Sequence, residues 1–294
     1  MSTIDRTQWL AERSTAIGAS EVPTLFGEGY EGMYSLWARK CGLADIREET
    51  EAMEVGTLIQ PVITELLRRR ANIDVRDADP YDFIRDQELP FLGCSLDGRA
   101  FSQDRDGIGI AEIKNVGQYV ASEWKDGPPT RVQLQAQAQM RVTGYDWGVV
   151  GVLVGGNKLA HYIVERHEGI QKAIVTQAKK FWKLVESHTP PPVDDSEETA
   201  RVLAALHPDD SGDSILLPSG FGKLDKKLAG IKRRIADLER KERAIENRIK
   251  AEMGAATFGM IPGGGAFSWK TQERKGYTVQ PSKSRVLRRV KNTK

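Results

Sequence analysis

The chain has almost no cysteine. Cys41 and Cys94 are the two thiols in 294 residues, and neither belongs to a CxxC pair. Two isolated thiols cannot build a disulfide scaffold, a structural zinc site or an iron–sulfur cluster, and they suit a reducing compartment. Long apolar runs are also missing, since no stretch approaches the ~20 residues that span a bilayer. The opening segment MSTIDRTQWLAERS has no apolar stretch behind a basic start, so no secretory signal and no membrane contact are expected, and the location is read as cytoplasmic. No internal repeat is visible. The net charge of +2 is small, but it is unevenly spread. Residues 221–294 hold 20 Lys/Arg against 7 Asp/Glu, and residues 1–220 hold 23 against 34. A basic tail on an acidic body is the footprint of a polyanion partner, or of a solvated basic helix.

What is present is organised in three parts. Residues 1–190 read as an α/β core that ends at Pro190, 191–220 as a linker that opens on Pro191 and Pro192 and carries one short helix, and 221–294 as a basic extension. Helices are expected at 6–13, 18–27, 32–41, 50–71, 128–143 and 169–188, several of them closed by glycine. Val55, Leu58, Ile59, Val62, Ile63 and Leu66 make the apolar face of the fourth region, and Arg68, Arg69 and Arg70 suit the negative end of its dipole. Strands are expected at 73–77, 81–85, 91–101, 107–116, 147–156 and 158–166. In the extension, Leu224, Leu228, Ile231, Ile235, Leu238, Ile245 and Ile249 follow a four-three rhythm, broken by Glu242. That seam belongs to a coiled coil, a helical hairpin or a helix packed on the body. GAFSWKTQERKGYTV and SRVLRRVKN then offer two or three short strands.

The segment with chemistry in it is Asp97 followed by Glu112-Ile113-Lys114. Asp97 lies in SLDG at a strand end, and period two puts Glu112 and Lys114 on one face of the next strand with Ile113 on the other. If these strands pair, two carboxylates and an ammonium meet. Clustered carboxylates repel unless a cation neutralises them, and a hard, oxygen-seeking Mg²⁺ does so. The same alternation also occurs on exposed salt-bridging strands, so the pattern alone leaves both readings open. The helix at 128–143 is unusual in carrying Gln133, Gln135, Gln137 and Gln139 beside Arg131 and Arg141. Gln135 and Gln139 lie one turn apart, as do Gln133 and Gln137, so two opposed faces are polar.

Together these pieces resemble the PD-(D/E)xK nucleases, and in particular the lambda exonuclease and YqaJ-like viral recombinase family. WLAERSTAIGASEV, EAMEVGTLIQPVI, GCSLDG, AEIKN, QAQAQMRVTG and HYIVER resemble its segments in order, over about residues 7–190. The resemblance implies a restriction-endonuclease-like core, a central mixed β-sheet flanked by helices, with a long-helix C-terminal extension. It implies that Asp97, Glu112 and the backbone carbonyl of Ile113 hold Mg²⁺, or Mn²⁺ in its place. It also implies that Lys114 and Gln135 are catalytic, that Gln137 belongs to the same QxQ motif, and that Arg13 and Ser20 hold the 5′-phosphate of a DNA end. The implied activity is 5′-to-3′ digestion of linear duplex DNA, leaving 3′ single strands for phage-type recombination. The implied partners are double-stranded DNA ends, a single-strand annealing protein and further copies of the chain in a ring trimer, inside a bacterial host of a phage or prophage. One position departs from the pattern: Gln60 stands where the family carries a glutamate. Alternatives on the same fold are an endonuclease, or a DNA-end binding protein that no longer cuts.

Overall fold

WGVVGVLV, with no polar side chain in eight residues, suits only a strand covered on both faces. In the computed structural model, which describes residues 6–44, 50–79, 81–276 and 283–290, all eight of these residues are buried. The chain forms two compact units, Met1–Pro208 and Asp209–Lys294. In chain order the first contains α1 (Arg6–Ser14), β1 (Ile17–Gly18), a 3-10 helix (Ala19–Phe26), α2 (Met33–Lys40) and α3 (Glu51–Ala71). Then come β2 (Ile73–Asp77), β3 (Ile84–Arg85), β4 (Leu92–Cys94), β5 (Gly98–Ser102) and β6 (Gly109–Val116). A 3-10 helix (Gln118–Trp124), α4 (Thr130–Thr143), β7 (Trp147–Val154), β8 (Lys158–Glu165), α5 (Glu168–Glu186) and α6 (Glu197–Leu206) complete it.

The main sheet has the order β2-β5-β6-β7-β8, and a smaller sheet has the order β1-β4-β3. Only β6 and β7 pair in parallel within the main sheet, so it is mixed. Each face of the main sheet has its own core. Ile63 and Leu67 of α3 cover Ala111, Ile113, Val149 and Leu153 on one face. Ile110, Val150, Val152 and Val154 face the side packed by α2, α4 and α5. Gly151 lets α3 close on the sheet, because a Cβ there would stand 2.8 Å from Leu67. Thr50 caps the start of α3, and the left-handed Gly144 ends α4.

Several expected elements differ in detail. The apolar stripe of α3 is only partly used: Ile63 and Leu67 are buried, whereas Val55, Leu58 and Val62 are exposed. The Arg68 and Arg69 side chains pair with Glu65 on their own helix. The segment 18–27 is 3-10 rather than α-helical, with Pro23 inside it, where a missing N–H weakens an α ladder. Residues 91–101 are two strands in two sheets, with Ser95, Leu96 and Asp97 between them. Of 81–85 only Ile84 and Arg85 pair, against Cys94 and Gly93. The 3-10 turn at Gln118–Trp124, entered through Gly117, carries no periodic signal in the sequence. The short helix α6 packs against α2, where Ser35 and Thr199 share a buried 3.1 Å hydrogen bond.

The second unit contains α7 (Phe221–Met253) and a hairpin of β9 (Phe258–Met260) and β10 (Ala266–Ser268). SRVLRRV forms no strand through residue 290, because no partner strand meets it and Val286, Leu287 and Val290 stay exposed. The remainder of the strands expected there, at 277–279 and 291–292, lies outside the described residues.

Candidate active site

The antiparallel pairing of β5 with β6 decides where the two carboxylates stand. Gly98 pairs with Ala111, and one step beyond this register Asp97 lies opposite Glu112. Asp97 Oδ2 accepts a 2.7 Å hydrogen bond from the Ile113 backbone N–H, which fixes the carboxylate over the start of the ExK segment. Glu112 is 1% exposed. Its Oε1 forms an ion pair with Lys114 Nζ, and its Oε2 accepts a 2.7 Å hydrogen bond from Gln139 Nε2. Lys114 Nζ also donates to Gln135 Oε1 at 3.3 Å. Thus β6 and one face of α4 present Glu112, Lys114, Gln135 and Gln139 to each other, as the one-turn spacing of the two glutamines requires.

Electrostatics mark the same spot. Burial and the neighbouring Glu112 push the Asp97 carboxyl up to about 7, against the pull of Lys114 and the Ile113 N–H. Burial alone would lower the Lys114 pKa, but Glu112 and Asp97 outweigh it and raise it, so the side chain is cationic across the neutral range. Two carboxylates and the Ile113 carbonyl are hard oxygen donors of the kind magnesium takes while keeping several waters. Among the described residues no third His, Cys, Asp or Glu joins them. The buried, mutually destabilising pair of acids and its small donor set fit a Mg²⁺-type ion.

Gln60 reaches this site from α3 on the other face of the sheet. Its Nε2 donates a 2.9 Å hydrogen bond to the Asp97 backbone carbonyl. A carboxylate at this position cannot make that bond. Gln60→Glu is therefore expected to lower the melting temperature in EDTA, with a loss of about 1 kcal/mol, and to recover it as Mg²⁺ is added. Equal melting curves for both forms in EDTA would show that the amide bond contributes nothing.

The remaining α4 polar residues are used elsewhere. Gln137 Nε2 donates to the Glu165 carbonyl at 2.7 Å, and its Oε1 accepts from His167 N–H at 2.9 Å. This side chain ties α4 to the turn between β8 and α5 and does not reach Lys114 or Glu112. Gln133 bonds the Pro128 carbonyl, while Arg131 and Arg141 are ion-paired with Glu123 and with Asp86 and Glu88. In the sequence Gln139 belongs only to a polar helix face; its contact with Glu112 arises from the packing of α4 on β6. Gln139→Leu is expected to lower any metal-dependent activity by about 10–100-fold while the chain stays folded. Wild-type activity in that variant would deny it any hold on Glu112.

A second polar cluster sits at the N-terminal end of the fold. Arg13 Nη2 donates to Ser20 Oγ at 3.3 Å, and its guanidinium lies over the Trp9 ring at 4.5 Å. Beneath them Glu21, 8% exposed, accepts from Gly18 N–H at 2.8 Å, pairs with Lys40 at 2.7 Å and with Arg39 at 3.2 Å. Burial opposes the Glu21 charge, yet Lys40, Arg39 and Arg13 together hold its pKa below the usual range. Lys40 Nζ also donates to the Arg13 carbonyl at 2.8 Å. Trp9 Nε1 donates to Ser95 Oγ at 2.9 Å, two residues before Asp97. Sequence reasoning gave no role to Glu21, which adjoins Ser20, or to Arg39 and Lys40, which lie on α2 and join the cluster only through its packing against α1 and the first 3-10 helix.

Comparison with known proteins covers the same residues. An uncharacterized YqaJ protein of Bacillus subtilis (strain 168) is 26% identical over 267 residues, 88% of this chain and 82% of that one. Among solved structures, an alkaline exonuclease from Laribacter hongkongensis, LHK-Exo, matches 68% of this chain and 100% of its own with a TM-score of 0.50 and 19% identity. The same enzyme solved in complex with dAMP matches 62% of this chain and 94% of its own, again with a TM-score of 0.50. At that identity the likeness speaks for the fold, a restriction-endonuclease-like core. The family model of the YqaJ-like viral recombinase domain matches residues 8–146, from the turn of α1 that precedes Arg13 to the end of α4. Arg13, Ser20, Asp97, Glu112, Lys114 and the α4 glutamines thus all lie within the stretch of this chain that is similar to the YqaJ-like viral recombinase domain.

Proposed function

We propose that this protein is a metal-dependent deoxyribonuclease that digests duplex DNA from a 5′ end. The observation that carries this reading is the meeting of Asp97, Glu112 and Lys114 at the β5–β6 pair, with Gln135 and Gln139 of α4 against them. Mg²⁺ held by Asp97, Glu112 and the Ile113 carbonyl would supply a polarised phosphate and a more acidic bound water. The chain's own residues do the rest. The Ile113 N–H and Gln139 hold the two carboxylates in place. Lys114, kept cationic by its acidic neighbours, stabilises negative charge that grows on phosphate oxygens. Gln135 accepts from Lys114 and aims it. Arg13 and Ser20 offer a guanidinium fork and a hydroxyl to a terminal phosphate. The 3′ single strand left behind would be the substrate of an annealing protein, in keeping with a recombinase family.

One gel assay separates the readings on this fold. Linear and closed circular duplex are incubated with Mg²⁺, with EDTA as control. Loss of linear DNA alone is the expected result. Loss of both would make the protein an endonuclease. A mobility shift with no loss would make it a DNA-end binder, the reading favoured by the neutral Gln60 amide beside Asp97.

A further inference from the structure

We propose that α7 is a self-association element, and that its apolar seam pairs with α7 of a second copy of this chain in a parallel, in-register coiled coil. The helix runs for 33 residues and buries only Met253. Within its own unit a helix of that length has little to stabilise it beyond local propensity. Yet its apolar residues are not scattered. Leu224, Ile231, Leu238 and Ile245 occupy d positions, and Leu228, Ile235 and Ile249 occupy a positions, over about four heptads. Six of these seven are between 44% and 62% exposed, so the seam is open along its length.

The charges beside the seam choose both the occupant and its direction. The g positions are Lys227, Arg234, Lys241 and Arg248, all basic. The e positions are Asp225, Lys232, Glu239 and Glu246, of which three are acidic. In a parallel pair of identical helices each g residue faces the e residue five positions on in the other copy. Arg234 then meets Glu239 and Lys241 meets Glu246, and Lys227 meets Lys232, each twice by symmetry, so four attractive contacts stand against two repulsive ones. An antiparallel pair would set g against g, four basic residues against four. Asp225 has no charged g partner, because position 220 is a glycine, and it pairs with Arg289 at 2.8 Å, so the attractive contacts fall in the middle of the helix. Within one chain Lys241 and Glu246 bond only exposed neighbours, Asp237 and Lys250, contacts that are weak and easily exchanged. Glu242 occupies the remaining a position. In the parallel arrangement it meets its own counterpart, a like-charge layer that Lys241 of the other copy flanks and partly neutralises, and this costs stability at one layer of the seam.

The test uses the full-length chain. Sedimentation equilibrium of the wild type at roughly tens of micromolar should show self-association, with a dissociation constant that rises about a hundredfold in Glu239→Lys/Glu246→Lys. Adding Arg234→Glu and Lys241→Glu to that variant restores opposite charges across the seam and should restore association. Orientation is read separately. Leu224→Cys in a Cys41→Ser background should form a disulfide with itself on mild oxidation, since equivalent residues meet only in the parallel form. The melting transition of the wild type and each variant checks that the fold is intact. A monomeric wild type, association indifferent to the charge reversal, or failure of Leu224→Cys to cross-link would each overturn the proposal.

Discussion

Digestion of linear duplex DNA should fall on the order of a thousandfold in Asp97→Ala and in Glu112→Ala, because each loses several kcal/mol of charge stabilisation at the reacting phosphate. The loss should not come from unfolding. Without a bound cation, Asp97 is held at about 7 by burial and by Glu112, so the native state binds its proton more tightly than the unfolded chain does. A carboxyl with a raised folded pKa costs nothing while both states are protonated. Its penalty grows as pH rises above the unfolded carboxylate value near 4 and is complete above about 7. Wild-type stability in EDTA should therefore decline between about pH 4 and pH 7. Asp97→Asn keeps the shape and the hydrogen bond from the Ile113 N–H but cannot ionise, so that part of the decline should vanish. Added Mg²⁺ should restore wild-type stability at neutral pH and leave Asp97→Asn nearly unmoved. Denaturant melts across that pH range, with and without the cation, check this. A stability profile identical in both proteins would mean that Asp97 is not the strained acid of the site.

Arg13→Ala should remove discrimination between 5′-phosphorylated and 5′-hydroxyl ends. A terminal phosphate carries nearly two negative charges at neutral pH, with a second pKa of about 6. In the proposed pocket Arg13 would meet it with a planar fork, which stacks on Trp9 and bonds Ser20. The buried Glu21 holds Lys40 in turn, and Lys40 holds the Arg13 carbonyl, so the fork is preorganised. Charge-assisted bonds of this kind contribute about 1.5–3 kcal/mol each, so the rate on phosphorylated ends should fall by about 10–100-fold. The rate on hydroxyl ends should barely change. Arg13→Lys should recover only part, because it returns the charge without the fork. The measurement is the initial rate on matched linear duplexes that differ only in the 5′ group. An equal fall on both substrates would assign Arg13 to folding or to general DNA contact.

The sequence by itself determined the elements whose signal is local. A short, valine-rich, unbroken apolar run suits a central strand, so β7 was legible, and period-two spacing put Glu112 and Lys114 on one face of β6. Glycine at 144 and the basic end of α3 marked helix limits for equally local reasons. The tertiary structure decided everything that depends on which elements touch. The pattern Gln133, Gln135, Gln137, Gln139 holds four equal amides, yet only two of them face β6. The packing of α4 gives Gln139 to Glu112 and Gln135 to Lys114, and sends Gln137 to the β8–α5 turn. Likewise Gln60 is spent on the Asp97 carbonyl because α3 crosses the opposite face of the sheet. Lys40 meets both Glu21 and the Arg13 carbonyl only because α2 packs back on the N-terminal segment. Local periodicity fixes a side chain's direction relative to its own backbone. Which partner it finds there is set by long-range burial, where the cost of leaving a charge or amide unpaired selects one packing among many.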